Sequence, residues 1–250
     1  MCVTELFPER HPGSRLSPGR DIRLFCFPYA GAGASVFRDW SGGLAGHARV
    51  HPVQLPGREA RIGEPPIDRL TPLVQAVCDE IAPFAGEAYA LFGYSFGALV
   101  AFELAREMRR RGYPEPAHLF VAAHEAPQLE GRTERISELP DAALKDRLRT
   151  FGGTPEAVLD HPELMAILLP VIRTDFAVTE TYRYREEPPL TCPITVFGGR
   201  GDDVAPMDAL DGWRAQTSDR FRLHALPGNH FFIHTYVGTI WDKIRRDLEP

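Results

Sequence analysis

The 250-residue chain has few cysteines, no excess of basic charge and no long apolar run. Its four cysteines, Cys2, Cys26, Cys78 and Cys192, are scattered and form no C-x-x-C pair. Cys26 lies in a strand-like run and Cys78 in a helix-like one, so buried, reduced thiols are expected, as in a cytoplasmic protein. Lys and Arg number 28 against 34 Asp and Glu, a formal net charge of −6. That balance argues against a non-specific nucleic-acid binder, which is normally basic. The longest uncharged stretch worth testing as a membrane span is 88–102, interrupted by Gly93, Ser95 and Gly97. A spanning helix needs about 18 or more apolar residues, so none is expected. The first ten residues carry acidic side chains and no apolar h-region, so no secretory signal is expected. There is no repeat and no low-complexity block. Gly 22 and Pro 23 stay below the roughly 25–30% typical of low-complexity chains. What is present is ordinary globular composition, 44% hydrophobic and 25% charged, in a chain long enough to bury a core without staples.

Short apolar runs alternate with helical patterns, the arrangement of a mostly parallel α/β sheet flanked by helices. Residues 22–27, 50–55, 89–92, 119–123, 194–197 and 221–226 read as strands. Helices are expected over 70–84, 95–111, 208–215 and 235–248, from apolar spacing such as Leu70, Leu73, Val74, Val77 and Ile81. Residues 127–189 break this rhythm. Leu164, Ile167, Leu168, Val171 and Ile172 follow helical spacing, and Pro170 is expected to kink or start a helix there. A helical insert between two strands is most simply a lid over the sheet's C-terminal edge; an extra pair of packing helices is the alternative. The expected organisation is a loose leader over 1–20, a core made of 21–126 and 190–250, and a helical lid over 127–189.

Gly93-Tyr94-Ser95-Phe96-Gly97 matches G-x-S-x-G. The pentapeptide alone is weak, but a hydrophobic strand runs into it and a helix runs out, the context of a nucleophile elbow. The glycines let the turn close, and the serine oxygen projects near the positive end of the following helix. The bland reading is a serine capping an ordinary helix. A serine hydroxyl needs a base, and in this fold an acid and then a histidine follow the serine in sequence. His230 sits in Pro227-Gly228-Asn229-His230, a turn between the last strand and the last helix. His224 alternates within a strand and reads as packing. His234 lacks the partners of a metal site. Two adjacent aspartates, Asp202 and Asp203, compete for the acid after strand 194–197. Asp202 is preferred for its place in Gly-x-x-Asp-x-x-x-Pro.

An oxyanion needs two backbone N–H donors. One is expected from Phe96, the residue after the nucleophile, and the other from the loop after the first strand, Phe27-Pro28-Tyr29-Ala30-Gly31-Ala32-Gly33-Ala34. A nucleotide-binding loop is the rival reading of Gly31-x-Gly33, but the third glycine of G-x-G-x-x-G is missing.

Together these residues resemble the type II thioesterases, stand-alone α/β-hydrolases that serve polyketide synthases and non-ribosomal peptide synthetases. The resemblance runs through Phe27-Pro28-Tyr29-Ala30-Gly31, Gln54-Leu55-Pro56-Gly57-Arg58-Glu59, the elbow, Leu169-Pro170-Val171-Ile172-Arg173-Thr174-Asp175-Phe176, Glu180-Thr181-Tyr182, the Asp202 loop and Gly228-Asn229-His230-Phe231-Phe232. Tyr29 and Tyr94 stand where the family often has His. The resemblance implies hydrolysis of an acyl group from the 4′-phosphopantetheine arm of an acyl or peptidyl carrier protein, by Ser95, His230 and Asp202, the backbone N–H groups of Ala30 and Phe96 holding the oxyanion, with no metal or redox cofactor. It implies neither a nucleic-acid nor a membrane partner, and a monomer is expected. Carrier domains are typically acidic, so docking would use a basic patch. Arg109-Arg110-Arg111 and Lys145-Arg147-Arg149 are the candidates, against solvated helix faces. The alternatives are a serine esterase acting on free small-molecule esters, a chain-releasing thioesterase, and a non-catalytic carrier-binding protein.

Overall fold

A computed structural model describes residues 22–129 and 135–249. The leader expected over 1–20, Cys2 and residues 130–134 of the insertion lie outside the described residues. Six strands, β1 Arg23–Phe27, β2 Arg49–Pro52, β3 Tyr89–Tyr94, β4 His118–Ala122, β5 Ile194–Gly199 and β6 Phe221–Leu226, form one sheet in the order β2-β1-β3-β4-β5-β6. Every pairing is parallel. Side chains alternate across the pleat. Phe25 and Phe27 therefore join one apolar cluster with helices α2 (Leu70–Ile81) and α3 (Phe96–Arg110). Leu24 and Cys26 join another with α1 (Trp40–Gly43) and α8 (Val237–Leu248). Both faces are covered, as a parallel sheet requires. The expected α/β-hydrolase architecture is the one observed.

Between β4 and β5 the chain leaves the sheet for α4 (Asp141–Phe151), α5 (Glu156–Leu159) and α6 (Pro162–Thr181). These helices have their own apolar cluster, centred on Leu144, Leu148, Leu159, Met165, Leu169 and Ile172. A short helix, α7 (Met207–Asp211), follows β5.

Three sequence expectations need correction. The second strand ends at Pro52, not Leu55. It lies at the sheet edge, and its only neighbour, β1, ends at Phe27 before Pro28. Val53 adds one more bond, to the Cys26 carbonyl at 2.9 Å, and Gln54 and Leu55 are then buried as loop. Pro170 does not start a helix. Pro162 stands at the start of α6, and the helix runs on through Pro170. The stripe Leu164–Ile167–Leu168–Val171–Ile172 does not face inward as one unit, since Leu164 is 42% and Ile167 48% exposed. Helix α6 is apolar on more than one side, so spacing alone did not reveal which side was covered. Cys26, Cys78 and Cys192 are unpaired and buried. Burial pushes the Cys26 thiol up and the Cys192 thiol up to about 12.

Where β3 meets α3, backbones touch. A Cβ on Gly93 would lie 2.2 Å from the Gly97 carbonyl oxygen, and one on Gly97 would lie 2.3 Å from the Phe27 carbonyl oxygen. Neither clash is relieved by a rotamer change, because backbone meets backbone. Gly97→Ala is therefore expected to cost about 1–3 kcal/mol and to shift the end of β1. The exposed Gly86, with nothing within 4 Å of its missing Cβ, supplies the control: Gly86→Ala should stay within about 0.5 kcal/mol of the parent. Urea unfolding of both variants checks the pair.

Candidate active site

Ser95 stands between β3 and α3 with φ 52° and ψ −119°. This is a strained conformation for a residue with a side chain, costing about 1–3 kcal/mol. The surrounding structure holds it there: the Ser95 N–H donates to the Ala122 carbonyl at 2.7 Å, and every residue of β3 is buried. The turn lifts Oγ off the sheet's C-terminal edge at the head of a 15-residue helix, whose aligned peptide dipoles favour negative charge at that end.

The C-terminal ends of β5 and β6 bring the other two groups to the same edge. His230 Nε2 lies 3.0 Å from Ser95 Oγ. His230 Nδ1 lies 2.8 Å from Asp202 Oδ2. The other carboxylate oxygen, Oδ1, accepts from the N–H groups of Val204 (2.8 Å) and Ala205 (3.1 Å). Asp202 is thus oriented at both oxygens and buried, whereas Asp203 is exposed. Such a chain can take a proton from Ser95 at Nε2 while the carboxylate holds the Nδ1–H tautomer and stabilises the imidazolium. Of the two aspartates, the structure brings Asp202 to the histidine.

The histidine loop is held by a residue whose role the sequence did not reveal. Tyr94, directly before Ser95, sends its hydroxyl under the loop and donates to the His230 carbonyl at 2.5 Å. Its place beside the nucleophile was its only signal. His224 packs against Phe197, which fits its packing reading, and His234 Nε2 meets the Tyr29 hydroxyl at 3.1 Å. Among the described residues, no group of three or more His, Cys, Asp or Glu side chains is placed to hold a metal ion.

Ala30 lines the cavity beside Ser95, and Phe96, directly after Ser95, is the first residue of α3. Gly31 has φ 76°. The space a Cβ on Gly33 would need is taken by the Glu59 carboxyl group, 2.2 Å away. A carboxyl group packed onto that loop repels phosphate, which weighs against nucleotide binding there. Ser95, His230 and Ala30 open onto a cavity of about 240 Å³. Most of its apolar wall comes from the insertion, from Leu148, Phe151, Val158, Leu168, Ile172 and Phe176. Part of the expected stripe, Leu168 and Ile172, does therefore face the serine.

The basic clusters are engaged elsewhere. Arg109 pairs with Glu115 and Glu187, Arg110 with Glu107 and Glu187, and Arg111 with Glu107 and Asp79. Arg149 pairs with Asp146, Glu156 and Asp160, and Arg147 lies over the Phe151 ring. Their arginines serve intramolecular contacts, which weakens both as docking patches.

Residues 22–248 match the family model described as Thioesterase domain. The chain belongs to the thioesterase family. It is 44% identical to the gramicidin S biosynthesis protein GrsT of Aneurinibacillus migulanus over 85% of this chain and 83% of that one. RedJ, a thioesterase from the prodiginine biosynthetic pathway in Streptomyces coelicolor, superposes with a TM-score of 0.87 at 38% identity, covering 98% of this chain and 93% of RedJ. The type II thioesterase BorB from the borrelidin biosynthetic cluster superposes with a TM-score of 0.85 at 33% identity, over 94% and 95% of the two chains. The resemblance to type II thioesterases is borne out, and the protein is a serine hydrolase of thioesterase type. Among the described residues, no helix of this thioesterase is long and apolar enough to cross a membrane.

The adjacent aspartates supply a test. Asp202→Asn should lower kcat by about 10³- to 10⁴-fold, because the imidazole loses the acceptor that fixes its tautomer. Asp203→Asn should change it by less than about tenfold. Steady-state kinetics on one thioester, with circular dichroism as a folding control, checks the ranking.

Proposed function

We propose that this thioesterase removes acyl groups from the phosphopantetheine arm of acyl or peptidyl carrier proteins in polyketide or non-ribosomal peptide synthesis, clearing stalled or mis-primed chains. The observation that carries the mechanism is the continuous chain from Ser95 Oγ through His230 to Asp202, at 3.0 and 2.8 Å, opening onto an apolar cavity. The substrate class is supported by the relatives, which include proteins of gramicidin, prodiginine and borrelidin synthesis.

In this mechanism His230 Nε2 takes the Ser95 proton as Oγ attacks the thioester carbonyl. The backbone N–H groups of Ala30 and Phe96 hold the oxyanion. Collapse breaks the C–S bond, and the imidazolium returns its proton to the departing pantetheine thiolate. Water then gives a proton to His230 as it attacks the acyl-serine, and the imidazolium passes that proton to the departing Ser95 Oγ, releasing the free acid and restoring Ser95 and neutral His230. The described chemistry calls on side chains and backbone alone.

Residues 127–189 act as the lid. Their apolar residues wall the acyl cavity, and Gly152, with φ 74° at the end of α4, and the adjacent Gly153 are hinge points for admitting the arm. The buried, unpaired cysteines support work in a reducing, cytoplasmic setting. We assign it a monomeric state.

Mass spectrometry of a set of acyl-carrier proteins before and after incubation tests the substrate class. The expected product is the free holo carrier and a free acid. Faster turnover of an oxygen ester than of the matching acyl-pantetheine thioester would point to an esterase, and a macrocyclic product to a chain-releasing enzyme. Ser95→Ala should lose at least about 10⁴-fold in turnover. Chain-length preference should be shallow, since a methylene contributes about 0.8 kcal/mol, or about fourfold. Leu168→Asn should raise KM for eight- to ten-carbon thioesters more than for acetyl. Equal length dependence in parent and variant would show that Leu168 does not wall the acyl site.

A further inference from the structure

Two of the sequence motifs, Gly57-Arg58-Glu59 and Arg173-Thr174-Asp175, lie far apart in the chain and have no part in the mechanism above. They meet behind the loop that carries Ala30. Asp175, on α6, is buried. Its Oδ2 accepts from the Gly31 N–H at 2.7 Å and from Arg58 Nη1 at 2.6 Å, and its Oδ1 accepts from Arg58 Nη2 at 2.9 Å. Arg58, also buried, donates from Nη1 to the Ala32 carbonyl at 3.2 Å. The pair thus grips the loop at two successive residues, immediately after Ala30.

That grip matters because Gly31 and Ala32, in the middle of the loop, have no large side chain to anchor them. A second cavity, of about 270 Å³, lies on its other side, and Tyr29, Gly31 and Ala32 line both cavities. The loop is a thin wall of small residues, and its path is set by polar pins. Further along, Ala34 N–H donates to Gln54 Oε1 at 3.0 Å and Ser35 N–H to Glu59 Oε2 at 3.2 Å. Near Ala30, Asp175 supplies the pin. Helix α6 also presses on the loop from the same side: a Cβ on Gly31 would come within 2.4 Å of Ile172 Cγ1.

We propose that Asp175 is a positioning residue for the oxyanion site, with Arg58 holding its carboxylate in place: by fixing the Gly31 N–H, Asp175 aims the neighbouring Ala30 N–H at the developing oxyanion on the substrate attacked by Ser95. The inference rests on the reading of Ala30 and Phe96 as oxyanion donors. It also ties the site to the insertion, because Leu168, Ile172 and Asp175 follow at i, i+4 and i+7 on α6. The helix that walls the acyl cavity therefore also holds the loop.

The test separates positioning from simple stabilisation. Breaking a buried ion pair at one partner is destabilising, whereas replacing both partners by apolar residues is often neutral or stabilising. The variants are Asp175→Leu, the double variant Arg58→Met with Asp175→Leu, and the milder Arg58→Met with Asp175→Asn. The Asn amide oxygen keeps an acceptor for Gly31. The readouts are Tm, kcat and KM on an acyl-pantetheine thioester, and affinity for an alkylboronic acid, whose tetrahedral adduct on a serine places an oxygen in the oxyanion site. The Met/Leu double variant should recover the Tm lost in Asp175→Leu but keep kcat lowered about 10- to 100-fold, with KM within about threefold and boronate affinity reduced in parallel. The Met/Asn variant should recover kcat to within about fivefold of the parent. A Met/Leu variant with parental kcat would overturn the proposal, as would lowered kcat with unchanged boronate affinity, or no recovery in a folded Met/Asn variant. Turnover persisting in Ser95→Ala would instead overturn the underlying mechanism.

Discussion

The structure depends on one close approach: the turn after β3 packs its backbone against both the first turn of α3 and the end of β1. Gly93 faces the Gly97 carbonyl and Gly97 faces the carbonyls of Phe27 and Pro28 at distances no side chain survives. This contact does two things at once. It forces Ser95 into its strained backbone conformation at the head of α3, and it brings the loop after β1 alongside the serine. The cost of the strain falls on the interior, where β3 is wholly buried and α3 packs against α2 and the sheet. A sheet central enough to absorb that cost is what makes the strained turn persist.

Around this turn the groups fall into two kinds. Those that handle charge are held by hydrogen bonds at both ends. Asp202 is held by two backbone N–H groups and the imidazole, His230 by Asp202 and Tyr94, and the loop after β1 by Asp175, Gln54 and Glu59. Those that make the apolar wall of the cavity come mostly from the insertion, with Tyr29, Val204 and Phe231 from the core. Charged steps need fixed geometry, because electrostatic stabilisation is gained only if the dipoles do not reorganise. Apolar contact is non-directional and tolerates varied chains. One centre can thus be exact about the carbonyl and permissive about what is attached to it.

Legibility in the sequence follows the range of the signal. The elbow was readable because a strand, two glycines and a helix are contiguous. Asp202 and His230 were readable because each follows a strand, and strand ends of a parallel sheet converge on one edge. The extent of β2 was not, since the burial of Gln54 and Leu55 is the same in a loop as in a strand, and only the end of β1 decides where pairing stops. The face of α6 was misjudged for a similar reason. Leu164 and Ile167 share the helical period of Leu168 and Ile172, yet the first two are open to solvent.

The sequence by itself determined the alternation of strand and helix, the strand–turn–helix pattern around Ser95 and a short set of candidate partners, His230 with Asp202 or Asp203, because each is encoded in a few neighbouring residues whose sterics and hydrogen bonding are local. Only the tertiary structure decided which side of α6 meets the serine, that Arg109, Arg110 and Arg111 pair with Glu107, Glu115 and Glu187, and that Arg58 and Asp175, 117 residues apart, close on Gly31. Those outcomes depend on which surfaces the folded chain brings within hydrogen-bonding distance, and no spacing along the chain records that.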